Sequence, residues 1–141
     1  MQASLPPQPV PDIDTQGFWE ATAAGRLAIC RCTQCRLWMQ PPLERCRSCG
    51  EETRFEQVSG AGTISSFTVV RHPAVPGYLE NLPYVVAIVE LVEQKSLVLP
   101  TRLLDARPGE VRVGQRVSVE ITDLPGGDFR VPTFRVVESN A

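Results

Sequence analysis

Four cysteines restrict this chain more than any other residues. Cys32-Thr33-Gln34-Cys35 and Cys46-Arg47-Ser48-Cys49 are two CxxC turns separated by ten residues. Each turn aims two sulfurs at one point, and its backbone N–H groups can donate to the thiolates. Two such turns joined by a short hairpin give a tetrahedral four-sulfur site. Soft ligands in that arrangement suit zinc, with iron as the competitor. Zinc is the expectation, because no aromatic cluster surrounds the turns as an electron-transfer module would need. Four thiolates close the coordination shell and leave no position for water or substrate, so the metal is structural. A segment this small lacks a core of its own, and the metal would supply its folding energy. The fifth cysteine, Cys30, lies two residues before Cys32 and could be a spare thiol or a competing ligand. The CxxC spacing favours Cys32.

All five cysteines fall between Cys30 and Cys49, and the last 92 residues have none. An odd, clustered set argues against a disulfide framework and for metal ligands in a reducing compartment. The N-terminus shows no basic stretch followed by an apolar core. The longest apolar run, Val85 to Val92, is broken by Glu90 and is too short to span a bilayer. A cytoplasmic protein without a membrane segment is therefore expected. The 141 residues suit one domain or two very small ones.

Thirteen arginines stand against one lysine, Lys95. Genomic base composition is the plain explanation. A functional one is that arginine suits bidentate contact with phosphate or carboxylate. Six of the arginines lie between Arg26 and Arg54, against only Glu44, Glu51 and Glu52. The remainder is acidic. A basic segment next to an acidic one points weakly to an anionic ligand near the first.

Along the chain, Pro6, Pro7, Pro9 and Pro11 mark an extended arm. Asp14 or Thr15 then reads as a helix N-cap before QGFWEATAAG, with Gly25 just past the helix end. A helix of two or three turns is marginal alone in water and must dock on something. Its bulky Phe18 and Trp19 can pack on their own domain or on a partner. From Phe55 onward the pattern becomes strand-like. Five strands are expected at Val58–Val70, Pro83–Val92, Ser96–Leu104, Arg116–Thr122 and Phe129–Val137. The second is almost wholly apolar, as in a strand buried on both faces or central in a barrel. Pro132 places an edge or a bulge in the last. No βαβ alternation occurs. Five antiparallel strands in this length suit a small OB-fold barrel, with an open sheet as the alternative. The expected division is an arm and helix over 1–25, a zinc ribbon over 26–54 and a barrel over 55–141.

Catalytic chemistry is hard to place. His72 is the only histidine and sits in a loop between strands. No GxSxG, phosphate-cradling loop or HExxH occurs, and nothing pairs a nucleophile with a base. The chain reads as non-catalytic by itself. Single-stranded nucleic acid is the alternative partner, because zinc ribbons and OB-folds both serve it. Against it, the barrel segment is acidic and carries few strand aromatics, namely Phe67, Tyr84, Phe129 and Phe134.

Several stretches together, FWEATAAGRLAICRCTQC, PPLERCRSCG, SGAGTISSFTVV, PGY, LPYVVAIVEL and VGQRVSVEI, resemble the DUF35 family from about Pro11 to Val137. Arg36 departs from it, standing where the family's first knuckle usually has glycine. The resemblance implies a mainly β protein, with an N-terminal helix and rubredoxin-like zinc ribbon before a five-stranded OB-fold. It also implies an accessory subunit that binds a thiolase-superfamily enzyme and helps form an acyl-CoA site in lipid or sterol side-chain metabolism. A homodimer or hetero-oligomer would serve that role. On this reading Zn2+ is held by Cys32, Cys35, Cys46 and Cys49. Phe67, Arg71, Tyr78 and Tyr84 border the ligand, and Phe18, Trp19 and Trp38 meet the partner.

Overall fold

The computed structural model describes residues 5–73 and 75–137. Residues 1–4 of the expected arm and 138–141 of the barrel segment lie outside the described residues, as does Ala74. The chain is mainly β. Helix α1 spans Gln16–Ala23. It is followed by β1 (Ala28–Cys32), β2 (Trp38–Met39), β3 (Thr53–Gln57), β4 (Ala61–Val70), β5 (Tyr84–Leu91), β6 (Val98–Leu103), β7 (Arg116–Asp123) and β8 (Arg130–Val136).

The N-cap of α1 is Thr15, one of the two expected positions, and Asp12 braces the turn before it. Asp12 Oδ1 accepts from the Thr15 amide at 2.9 Å and from its hydroxyl at 3.0 Å, while the Asp12 amide donates back to Thr15 Oγ1 at 3.0 Å. Thr15 occupies the N-cap position but makes no side-chain cap bond. At the other end Gly25 stands in the left-handed region at φ +81°. Its amide donates to Thr22 O and the Arg26 amide donates to Ala21 O, which closes the helix with a Schellman pair. Gly17 lets α1 approach the following sheet, since a Cβ there would lie 2.2 Å from Phe55 Cδ2.

Strands β1, β2 and β3 form a small antiparallel sheet in the order β2-β1-β3. Cys30 pairs with Met39 and with Phe55, and Cys32 with Thr53. The sheet's last strand runs to Gln57, where it faces Ala28. Strands β4 to β8 close a barrel in the order β4-β5-β6-β8-β7. That order is the OB-fold arrangement. All five expected barrel strands are present. The first begins at Ala61 because Val58, Ser59 and Gly60 are spent on the corner: the Val58 amide reaches back to Leu27 O, and Gly60 turns at φ +84°. A register shift between Ile64 and Ser66 bends β4 so that only Ala61 to Thr63 pair with β7.

Strand β5 meets the second of its two expectations, a place in the barrel between β4 and β6, and is not buried on both faces. Val85, Ala87, Val89 and Leu91 are buried, whereas Val86 and Ile88 between them are only half-buried. A closed barrel has an inside and an outside, and an unbroken apolar run does not reveal which is which. Pro132 sits in β8 opposite Ile121 of β7. On its other side β8 meets β6 in parallel at one register position only, Leu103 with Phe134. A missing N–H is tolerated where ladder bonds are already sparse.

One apolar cluster runs through both sheets. It joins Leu27, Ile29 and Trp38 to Ile64, Val85, Val89, Leu103, Val117 and Phe134 of the barrel. The Gln94 carboxamide adds a second tie. Its Oε1 accepts from the Trp38 amide and its Nε2 donates to Trp38 O, each at 3.0 Å.

Candidate metal centre and the cleft beside the barrel

Cys32 ends β1 and is fully buried, while Cys35 lies on the exposed turn that follows. Cys46 is buried and Cys49 exposed in a second turn, pinned by the Arg45–Glu52 bridge and by the Cys46 amide donating to Glu51 O. The four sulfurs lie within 4.8 Å of one another. Cys32 and Cys49 are 3.4 Å apart, and Cys35 and Cys46 3.6 Å. A tetrahedral ion with bonds of about 2.3 Å needs sulfurs about 3.8 Å apart, so the four fit a metal site closely.

The two turns are built alike. Cys32 Sγ accepts from the amides of Gln34 and Cys35, each at 3.3 Å, and Cys46 Sγ accepts from the Ser48 amide at 3.3 Å. Burial pushes the Cys32 thiol up. The two amides and the neighbouring Cys49 and Cys35 thiols outweigh that and bring it down to about 6. Donation from the Cys49 amide holds Cys46 low against its burial. The second thiol of each turn goes the other way. The Leu37 amide favours the Cys35 thiolate, but burial and the three other sulfurs prevail and raise it to about 12. The Glu51 amide favours the Cys49 thiolate, yet Cys32 and burial leave it raised. Each turn therefore presents one thiolate-prone and one proton-holding sulfur. A bound cation removes the distinction by demanding four thiolates.

The residue after each pair is left-handed: Arg36 at φ +67° and Gly50 at φ +78°. Arg36 reaches Glu56 with contacts of 2.8 and 2.9 Å, and Arg31 joins the same carboxylate at 3.4 Å. Two of the six clustered arginines are thus engaged within the sheet itself. Cys30 is not one of the four. Its Sγ turns to Leu43 O at 3.4 Å, and it packs with Met39, Cys32 and Cys46.

The other candidate residues scatter. Phe18 packs against the main core, and Trp19 meets Phe129 edge-on with ring centroids 5.6 Å apart. Trp38 is a correction. Expected on a partner surface, it is 5% exposed in the main core, under the Arg31 guanidinium at 4.3 Å, and offers no outer face. Phe67 packs toward the barrel core, and Arg71 is exposed beyond the end of β4. Tyr78 and Tyr84 do come together, at 5.6 Å between centroids. Arg102, absent from the sequence reading, lies 5.9 Å from the Tyr78 ring. Tyr78, Arg102 and Trp19 line a cleft of about 440 Å³, closed on one side by Pro7, Gln8 and Pro9 and on another by Thr122, Val131 and Thr133. Phe67, Arg71 and Tyr84 are not among its walls. Arg102, within β6, carried no signal in the sequence because its partner ring is 24 positions away in the β4–β5 connection.

Comparison with known proteins agrees with this architecture. Residues 19–56 match the ChsH2 rubredoxin-like zinc ribbon domain, and residues 55–122 match the ChsH2 C-terminal OB-fold domain. A DUF35 domain-containing scaffold protein of Methanocaldococcus jannaschii is 34% identical over 107 residues, covering 74% of each chain. The chain belongs to the DUF35 family. Other relatives are longer. The probable enoyl-CoA hydratase alpha subunit of Thermomonospora curvata is 32% identical over 94% of this chain, which spans 40% of that protein. The chain likewise spans 35% of the 3-oxo-4,17-pregnadiene-20-carboxyl-CoA hydratase alpha subunit of Mycobacterium tuberculosis, at 32% identity. Among solved structures, a chain of the Ltp2-ChsH2(DUF35) aldolase superposes with a TM-score of 0.82 at 31% identity, covering 92% of this chain and 98% of that one. A DUF35 protein of Sulfolobus solfataricus, at 14% identity and a TM-score of 0.58, shares the fold. No helix among the described residues is long and apolar enough to cross a membrane.

Proposed function

We propose that this DUF35 chain is a non-catalytic accessory subunit that binds a thiolase-superfamily enzyme and helps form its acyl-CoA site. The observation that carries the reading is the likeness, along almost the whole of both chains, to a chain of the Ltp2-ChsH2(DUF35) aldolase. The names of the hydratase alpha subunits add acyl-CoA and sterol-derived substrates to that picture. The chemistry of the site supports a structural metal. Four cysteine sulfurs leave no open coordination position, and zinc is the ion this donor set suits. Cys32, Cys35, Cys46 and Cys49 would hold it, and it would supply rigidity to the ribbon without entering a reaction.

Within this reading the ligand-facing part of the barrel centres on Tyr78, Tyr84 and Arg102. Those three give aromatic surface and a cation at one place. Arg71 extends the same end of β4. Phe18 and Trp19 would shape the partner surface through the position of α1. The test is co-expression with thiolase-superfamily proteins of the source organism, followed by size-exclusion chromatography and calorimetry with acyl-CoA. A stable complex that binds acyl-CoA more tightly than either part alone is expected. A chain that elutes alone in every pairing and shows no acyl-CoA heat would refute the proposal.

A further inference from the structure

The N-terminal arm is attached to the barrel at two separate loops. Pro6 is buried, and it lies against Gly77 in the β4–β5 connection. A Cβ at Gly77 would fall 2.3 Å from the Pro6 nitrogen and 2.6 Å from its Cα, and the residue turns at φ +92°. Two residues on, Gln8 Nε2 donates to Pro125 O at 2.9 Å and to Pro6 O at 3.1 Å. Pro125 belongs to the β7–β8 turn. There Gly127 leaves room for the Gln8 carboxamide, since a Cβ would meet Oε1 at 2.6 Å. Gly126 leaves similar room beside Leu5. The same arm residues, Pro7, Gln8 and Pro9, form one wall of the cleft that holds Tyr78, Arg102 and Trp19.

We propose that the arm is a strap: docked, it walls the cleft and couples the β4–β5 and β7–β8 connections; released, it opens the cleft and frees both loops together. The attachment is suited to reversible docking. Among the described residues it rests on one buried proline ring, one side-chain amide and the exposed Leu5 beside Gly126, and Gln8 Oε1 is buried without a protein hydrogen-bond partner. That orphan acceptor weakens the docked state. The prolines limit the freedom of the released arm and so lower the entropic cost of its return. The proposal does not depend on what enters the cleft.

Hydrogen exchange of the full chain tests it. The Asn81 amide is bonded to Tyr78 O, and the Leu124 amide to Phe129 O, so each reports on one loop. In Gln8→Ala both amides should exchange about tenfold faster, while those of β5 and the metal content stay unchanged. Gly77→Val, which drives a side chain into Pro6, should release both by at least as much. Gly109→Ala, where a Cβ meets nothing within 4 Å, should change neither. Trp38 is buried, so acrylamide quenching of fluorescence reports mainly on Trp19 and should rise in the two strap variants. Unchanged exchange at both amides overturns the proposal. So does acceleration of only one of them, or acceleration spread equally into β5.

Discussion

The two cysteine turns have the same sulfur geometry and the same left-handed residue after the second cysteine, but they stand on different ground. The first grows out of β1, whose Ile29 is buried in the core shared with the barrel. Next to it, Trp38 in β2 is held by that core and by Gln94. The second is carried by a connection secured by one bridge, Arg45 with Glu52, and by hydrogen bonds within itself. Single-atom contacts from Thr53 and Cys30 reach its start, one from Thr33 reaches Glu52 O, and none of its residues lies in the main core. The first turn inherits its position from the fold. The second is expected to depend on the metal. A ribbon thus need not be uniformly metal-dependent once one of its halves is fused to a larger core.

Removing the metal should separate the halves most. With a chelator, amides from Glu44 to Glu52 are expected to lose nearly all protection against exchange, because structural zinc supplies on the order of 10 kcal/mol in small modules. Amides of β1 should keep most of theirs, and Cys46→Ser should reproduce the pattern with loss of bound metal. Equal loss in β1 would erase the contrast. Next in size is Trp38→Ala, which takes the core away from the first turn. About 3–5 kcal/mol of stability should be lost, read from urea unfolding of the holo protein. After chelation of that variant, the first turn should exchange as freely as the second.

Smaller effects test the left-handed positions. Gly50→Ala places a side chain at φ +78° and should cost about 1 kcal/mol, although the space around it is open. Arg36→Gly relieves the same conformation in the first turn and gives up a half-exposed ion pair with Glu56, worth roughly 0.2–1 kcal/mol. It should be neutral or slightly stabilising by thermal unfolding, opposite in sign to Gly50→Ala. A clear loss of stability in Arg36→Gly would mean that the arginine, not the turn, matters there.

The smallest effect is at the start of α1. Donation from the Thr15 amide and hydroxyl holds the Asp12 carboxyl below its ordinary value of 3.8. A depressed carboxyl stabilises the fold above that ordinary value, and the contribution disappears as pH falls through the lowered one. Acidification should therefore loosen the Thr15 amide, followed by NMR, before the rest of the helix responds. Asp12→Asn should flatten that pH dependence.

The sequence was most legible where one local rule had one outcome. Paired CxxC spacing led directly to the sulfur cluster, and turn residues with alternating apolar positions led to the five barrel strands. Gly25 was readable as the helix end because only a left-handed residue closes a Schellman pair. The helix start was less so, since Asp14 and Thr15 both suit a cap and only the fold sets Thr15 there with Asp12 bracing it. Trp38 was misplaced because a two-residue strand has no periodicity from which to read burial. The strand adjacency that places Arg102 near Tyr78, and the reach of Gln8 to Pro125 across 117 positions, have no local trace at all.

Gln94 has a consequence beyond its two hydrogen bonds. Strand β2 is the outer strand of the small sheet, and its free side would otherwise present a bare N–H and C=O. The carboxamide satisfies both groups, as a neighbouring peptide unit would, and so blunts the edge against intermolecular pairing. It also sits in the β5–β6 turn, so the edge it covers is tied to that hairpin. The outer strand of the ribbon and one wall of the barrel are thereby joined through a single side chain.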